Sequence, residues 1–173
     1  EDVRIILPYY QAIKTNEAIY YKSTVRINGD EVNILETRLP GTEVTVWLVD
    51  YPKFFKLPGN PYHDEAGNPW GNSAERFGLF CYTVVEIAMN RGYLDWKPDI
   101  VHCNDWQSGL VPALLSLESD RPTTLFTIHN LAYQGLFPKA ANFSLNLPSQ
   151  LWDSGGTEFH GKLSFLKSGL TYA

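Results

Sequence analysis

The stretch from Asp99 to Ile128 constrains this chain more than any other. Asp99 to Cys103 and Pro122 to Ile128 are short, apolar and rich in branched residues, and Asp105 to Leu117 between them has helical spacing. Runs that short read as buried strands. Two parallel neighbours need a crossover of at least about 10–12 residues, and the helical segment supplies it. The pattern predicts a βαβ unit with parallel strands, and hence an α/β fold built on a Rossmann-like open sheet.

The remaining segments add to that frame. Val3 to Leu7, closed by Pro8, reads as a further buried strand, and Tyr20 to Ile27 and Val32 to Leu39 flank the hairpin signal Asn28-Gly29-Asp30. Thr42 to Val49 is another β-branched run. Tyr51 to Asn72 is rich in Pro, Gly, Asn and aromatic residues and is expected to be a long loop, a length that usually accompanies function. A helix is expected from Ser73 to Arg91, with Asn72 and Glu75 at capping-box spacing and an apolar face of Phe77, Phe80, Cys81, Val84, Val85 and Ala88. Gly92 would end it. Residues 129–154 read as irregular, and Phe159 to Tyr172 returns to helical spacing. The chain opens in a strand without an initiator methionine and ends in an apparent helix, so 1–173 is expected to be one partial domain of a longer protein.

Charge and cysteine usage narrow the function classes. With 14 basic and 19 acidic residues the net charge is −5, which offers no footprint for nucleic acid or an anionic membrane. No apolar run approaches the roughly 20 residues of a membrane helix, and the acidic start is not a signal peptide. Cys81 and Cys103 lie in apolar stretches without C-x-x-C spacing, as free buried thiols of a reducing compartment do. The expected location is cytoplasmic.

In an open parallel sheet the ligand binds beyond the carboxyl ends of the strands, where loops and helix starts converge. His102, Asn104 and Asp105 end the first strand of the βαβ unit, and His129 and Asn130 end the second. Asp105 either caps the following helix or faces the ligand, since Asp is a favoured N-cap. His102, inside its strand, is expected to make a core hydrogen bond. A metal would find donors in His102, Asp105 and His129, but no compact ligand signature is present, so no metal is expected. Ser108 lies in W-Q-S-G-L rather than G-x-S-x-G, and neither G-x-G-x-x-G nor a Walker loop occurs, which removes the hydrolase, dinucleotide and P-loop readings and leaves no cofactor expected. Tyr62 and Tyr133 are the aromatic residues best placed for a ligand, while each Trp is expected in the core.

V-H-C-N-D-W-Q-S-G-L-V-P-A-L-L (Val101 to Leu115) and T-I-H-N-L-A-Y-Q-G-L-F (Thr127 to Phe137) resemble the bacterial glycogen synthase and plant starch synthase family. P-G-N-P-Y-H-D (Pro58 to Asp64), the helix with Arg76 and Phe77, and G-K-L-S-F-L-K-S-G-L (Gly161 to Leu170) extend the resemblance along nearly the whole chain. The resemblance implies the N-terminal, acceptor-side domain of a two-domain (GT-B type) retaining glycosyltransferase, moving glucose from ADP-glucose to the non-reducing end of an α-1,4-glucan. It implies catalytic roles for Asp105 and His129, and substrate contacts for Asn130 and Tyr62. Gln107 stands where many relatives carry histidine. The family's Lys-x-Gly-Gly donor loop is not in this sequence, nor is its nucleotide-binding domain, so the chain alone is expected to be inactive. A different nucleotide-sugar transferase and a non-catalytic glucan-binding module are the competing readings.

Overall fold

The computed structural model describes residues 2–173. Three hydrogen-bonded strand groups share one core. The first contains β1 (Arg4–Pro8), β2 (Tyr20–Ile27), β3 (Asp30–Arg38) and β4 (Thr45–Asp50) in the order β1-β4-β3-β2. β1 runs parallel to β4, while β4–β3 and β3–β2 are antiparallel. The hairpin between β2 and β3 turns on Asn28 and Gly29 at φ +50° and +93°, the two positive angles that a tight two-residue turn needs. Val46 to Val49 are buried without alternation, as a strand covered on both faces requires.

The βαβ unit is present and parallel. β5 (Ile100–Asn104) pairs with β6 (Thr123–Thr127) in the register Ile100↔Thr123 to Asn104↔Thr127. The crossover is not one helix from Asp105 to Leu117. A 3-10 turn at Trp106–Ser108 comes first, and an α-helix, Leu110–Leu115, follows. Pro112 accounts for the division, because a residue without an N–H fits only the first turn of an α-helix.

Other local expectations shift for similar reasons. The long loop contains a short helix, α1 (Pro52–Phe55), whose proline at the first position supplies the helical φ in advance. The next helix, α2, covers Ser73–Ala88 and stops short of Gly92. Asn90 takes the left-handed conformation at φ +56°, and the bonds Asn90 N–H to Ile87 and Arg91 N–H to Glu86 complete a Schellman stop. The Asn72 side chain makes no cap bond, and Glu75 instead accepts from the Ser144 hydroxyl at 3.1 Å. The Leu110–Leu115 helix is numbered α3.

Residues 129–154 are less irregular than expected, containing β7 (Leu136–Pro138), α4 (Ala140–Ser144) and a 3-10 turn at Ser149–Leu151. The helical spacing of the last segment applies only to α5 (Phe165–Tyr172). Before it, β8 (Glu158–Phe159) and β9 (Lys162–Ser164) form a hairpin around Gly161 and pair with β7 in the order β7-β9-β8. Two- and three-residue strands are too short to leave a period-2 signature.

α2 lies at the centre and packs on α3, α4 and β2. β1 and β5 are not hydrogen-bonded to each other. They flank a groove of about 560 Å³ whose floor includes Phe77, Phe80, Val84 and Val111. Among the described residues no helix is long and apolar enough to cross a membrane.

Candidate active site

The carboxyl ends of β5 and β6 meet, as the crevice rule requires. The Asp105 carboxylate does not cap the helix behind it. Its Oδ1 accepts the backbone N–H of His129 at 2.7 Å and that of Asn130 at 3.4 Å, so it ties the end of β5 to the loop leaving β6. The backbone repeats the link, because the Asp105 N–H donates to Thr127 O at 2.8 Å. Asp105 reaches this position at φ +57° and ψ 178°, a conformation that an L-residue adopts only under constraint.

An aromatic cluster holds that constraint in place. Trp106 is buried directly after Asp105, 4.9 Å from Phe77, 5.9 Å from Phe137 and 6.2 Å from Phe165 between ring centroids. Gly135, at φ +57°, lets the 130s loop pass against the Trp106 ring, where a Cβ would fall 2.9 Å from its Cδ2. The loop carrying His129 and the turn carrying Asp105 are thus clamped to the same indole.

His129 and Asn130 are both exposed. The His129 Nε2 lies 3.0 Å from Asn104 Oδ1, which makes that nitrogen the proton donor and leaves Nδ1 as the acceptor in the neutral ring. The Asn130 Oδ1 accepts from Ala132 N–H at 3.0 Å, an Asx turn that shapes its own loop. His102 does bond within the sheet, Nε2 to Thr127 Oγ1 at 2.7 Å, although its side chain is exposed rather than in the core.

Tyr62 joins from the long loop. Its hydroxyl accepts from Gln107 Nε2 at 2.6 Å, and Gln107 lies two residues after Asp105 in the 3-10 turn. Tyr62, Asn104 and Gln107 line one end of the groove between β1 and β5, so the groove opens at this constellation. Tyr133 is exposed, and its N–H bonds Asn130 O at 3.3 Å. The residues singled out in the sequence therefore converge. Asn104, which the sequence places at the end of the same strand, and Gln107, which it marks only as a departure from the family's histidine, complete the network.

The thiols lie beneath the site. Cys81 donates to the Gln107 carbonyl at 3.2 Å, and both cysteines are buried and free. Burial raises both above the ordinary thiol range, Cys103 to about 12, so they are protonated packing groups rather than nucleophiles. Among the described residues no group of three or more His, Cys, Asp or Glu is gathered as a metal ion would need.

The model of the starch synthase catalytic domain matches residues 1–173. The glycogen synthase of Thioalkalivibrio sulfidiphilus is 48% identical over 100% of this chain and 37% of its own length. That of Cellvibrio japonicus is 51% identical over 99% and 36%. The catalytic domain of starch synthase IV from Arabidopsis thaliana, solved bound to ADP and acarbose, is similar in fold with a TM-score of 0.79 at 22% identity, over 99% of this chain and 36% of that one. The chain thus spans a little over a third of the relatives it matches. With the family model matched from end to end and the strand-end constellation on the shared fold, the chain belongs to the starch synthase catalytic domain family.

Proposed function

We propose that this chain supplies the acceptor-side domain of a two-domain retaining glycosyltransferase that moves glucose from ADP-glucose to the non-reducing end of an α-1,4-glucan. The observation that carries the reading is the Asp105 carboxylate bonded to the backbone of His129 and Asn130, which joins two parallel strand ends into one polar platform. Family membership supplies the chemistry, and the ADP and acarbose on the Arabidopsis relative supply the substrate classes. In this reading the protein works in the cytoplasm, with no nucleic acid or membrane partner.

As the bond to the diphosphate breaks, positive charge grows on the sugar ring and negative charge on the leaving group. Groups already oriented toward that charge lower the barrier without reorganising. His129 holds the transferred glucose through a ring nitrogen whose tautomer Asn104 fixes. Asp105 keeps that histidine's loop in place with Oδ1, and its negative charge favours the cationic ring. The Asn130 amide and the Tyr62 hydroxyl, with its apolar ring face, hold sugar hydroxyls and the glucan. A second carboxylate spaced for a covalent glycosidase mechanism is not part of this assignment.

The test is glucose incorporation from labelled ADP-glucose into glycogen by the complete enzyme carrying Asp105→Ala or His129→Ala. Each change should lower kcat about a hundredfold or more, the usual loss when an oriented electrostatic or proton-handling group is removed. Variants that turn over at the wild-type rate would sink the assignment. Residues 1–173 alone should incorporate no glucose.

A further inference from the structure

Arg76 is one of the largest fully buried side chains, 1% exposed, yet among the described residues no carboxylate lies within ion-pairing distance of it. A guanidinium in that position is expensive unless its donors are used and its faces are covered. One stretch of chain accepts both of its hydrogen bonds and supplies most of its aromatic cover. Nε donates to Phe54 O at 3.0 Å and Nη1 to Pro61 O at 3.1 Å. The Trp70 ring covers it at 4.9 Å, with Phe55 and Phe77 each at 6.0 Å. Burial pulls its pKa down, but a guanidinium stays charged.

The two carbonyls are not arbitrary. They bound the segment from α1 to Pro61, and the next residue is Tyr62. The rest of that loop is fastened to itself: Asn60 Oδ1 accepts from the N–H groups of Tyr62 and His63 at 2.8 and 2.9 Å, and the Trp70 indole donates to Asn60 O at 2.8 Å. The loop is a preassembled unit, and two side chains of α2 dock it: Ser73, whose hydroxyl donates to Trp70 O at 3.0 Å at the loop's end, and Arg76, which reaches both Phe54 and Pro61. Beyond the dock, Tyr62 meets Gln107, two residues from Asp105. A continuous path of contacts runs from the centre of the fold to the site. Lysine could not replace the fork, because its ammonium cannot span two carbonyls in a fixed plane and stack on an indole.

We propose that Arg76 is a positioning residue. By holding the main chain at Phe54 and Pro61 it sets where Tyr62 stands beside the Asp105–His129 platform, and so how tightly the acceptor glucan is held. The proposal rests on the glucan-transfer reading for the identity of the ligand, and on geometry alone for the docking of the loop.

The test is Arg76→Lys in the complete enzyme, read in two ways. The KM for glucan should rise about tenfold with the KM for ADP-glucose unchanged, because a misplaced binding loop weakens one substrate and not the other. Amide exchange in residues 58–70 should accelerate about tenfold while β3 and β4 keep wild-type protection. Unchanged loop exchange, or acceleration spread equally over β3 and β4, overturns the proposal, as does a loosened loop with an unaltered glucan KM. Should Arg76→Lys fail to fold, the wild-type Arg76 Nε–H proton decides the dock. A slow-exchanging, downfield-shifted nitrogen-bound proton supports it, and exchange at the solvent rate overturns it. A wild-type enzyme that transfers no glucose to glucan overturns the glucan reading alone, and the loop exchange then still decides the role of Arg76.

Discussion

Asp105 combines a strained φ of +57° with a carboxylate that accepts from the backbone of the loop leaving β6. Strain of this kind amounts to about 1–3 kcal/mol and persists only where the surroundings impose it. Here Trp106, wedged among Phe77, Phe137 and Phe165, imposes it. A separation of the two terms follows. Asp105→Ala loses the carboxylate and keeps the strain, whereas Asp105→Gly loses the carboxylate and removes the strain. Asp105→Gly should therefore be the more stable of the two by about 1 kcal/mol in urea denaturation, with both losing about a hundredfold or more in kcat in the complete enzyme. Equal stability, or Ala above Gly, would show that the positive φ is not maintained in solution. The sequence pointed to Asp105, His129 and Asn130 because they directly follow β-rich runs, a position that topology makes functional. It left Asp105 between capping and the site, since the same residue type serves both; the side chain makes no cap bond and accepts from the His129 N–H instead. Gln107 and Arg76 stand out only within the family motifs, and what they bond was not legible, because their partners are 45 and 15 to 22 residues away.

Elements are positioned by close approaches as much as by hydrophobic faces. Gly109, between the 3-10 turn and α3, has an ordinary helical φ of −65°, so its backbone needs no glycine. The need comes from α5: a Cβ at this position would collide with the Phe165 carbonyl, whose carbon would stand 2.6 Å away. Because the neighbour is backbone, no rotamer change can relieve the clash. Gly109→Ala should cost about 2–3 kcal/mol, at the upper end for an added methyl group in a packed core, measurable as a lower urea midpoint. A change below 0.5 kcal/mol would mean that α5 can slide away from the turn. The same distinction explains which elements the sequence revealed. The hairpin at Asn28-Gly29 and the βαβ unit follow from local chemistry and periodicity, and both were legible. The division of the Asp105–Leu117 segment, the Schellman stop at Asn90 and the β7-β9-β8 group depend on one proline, one asparagine and strands of two or three residues. Those signals are weaker than the apolar periodicity that overlies them.

At the scale of the whole molecule, the parallel strands divide into two groups around α2, and two strand edges face one another without pairing. The direction of their amides can be worked out. Tyr9 N–H bonds Val49 O, and Asp105 N–H bonds Thr127 O. Because N–H groups alternate sides along a strand, Ile5 and Leu7 also point toward β4, and Val101 and Cys103 toward β6. Arg4 and Ile6 of β1, and Ile100, His102 and Asn104 of β5, therefore direct their amides into the groove. The His102 carbonyl fits this assignment, since the Asn104 side chain reaches it at 3.5 Å in place of a strand neighbour. Exchange in residues 1–173 should thus alternate along each strand. The amides of Arg4, Ile6, Ile100 and His102 should exchange at least tenfold faster than those of Ile5, Leu7, Val101 and Cys103, because an open edge leaves its donors to water while paired amides wait for the strands to separate. Residue-resolved hydrogen exchange by NMR reads this directly, with the bonded amides as an internal standard for overall stability. Uniform protection along both strands would mean that the two edges are covered in solution, by pairing with each other or with a second copy. The groove and its opening beside Tyr62 and Gln107 would then belong to a different arrangement from the one described.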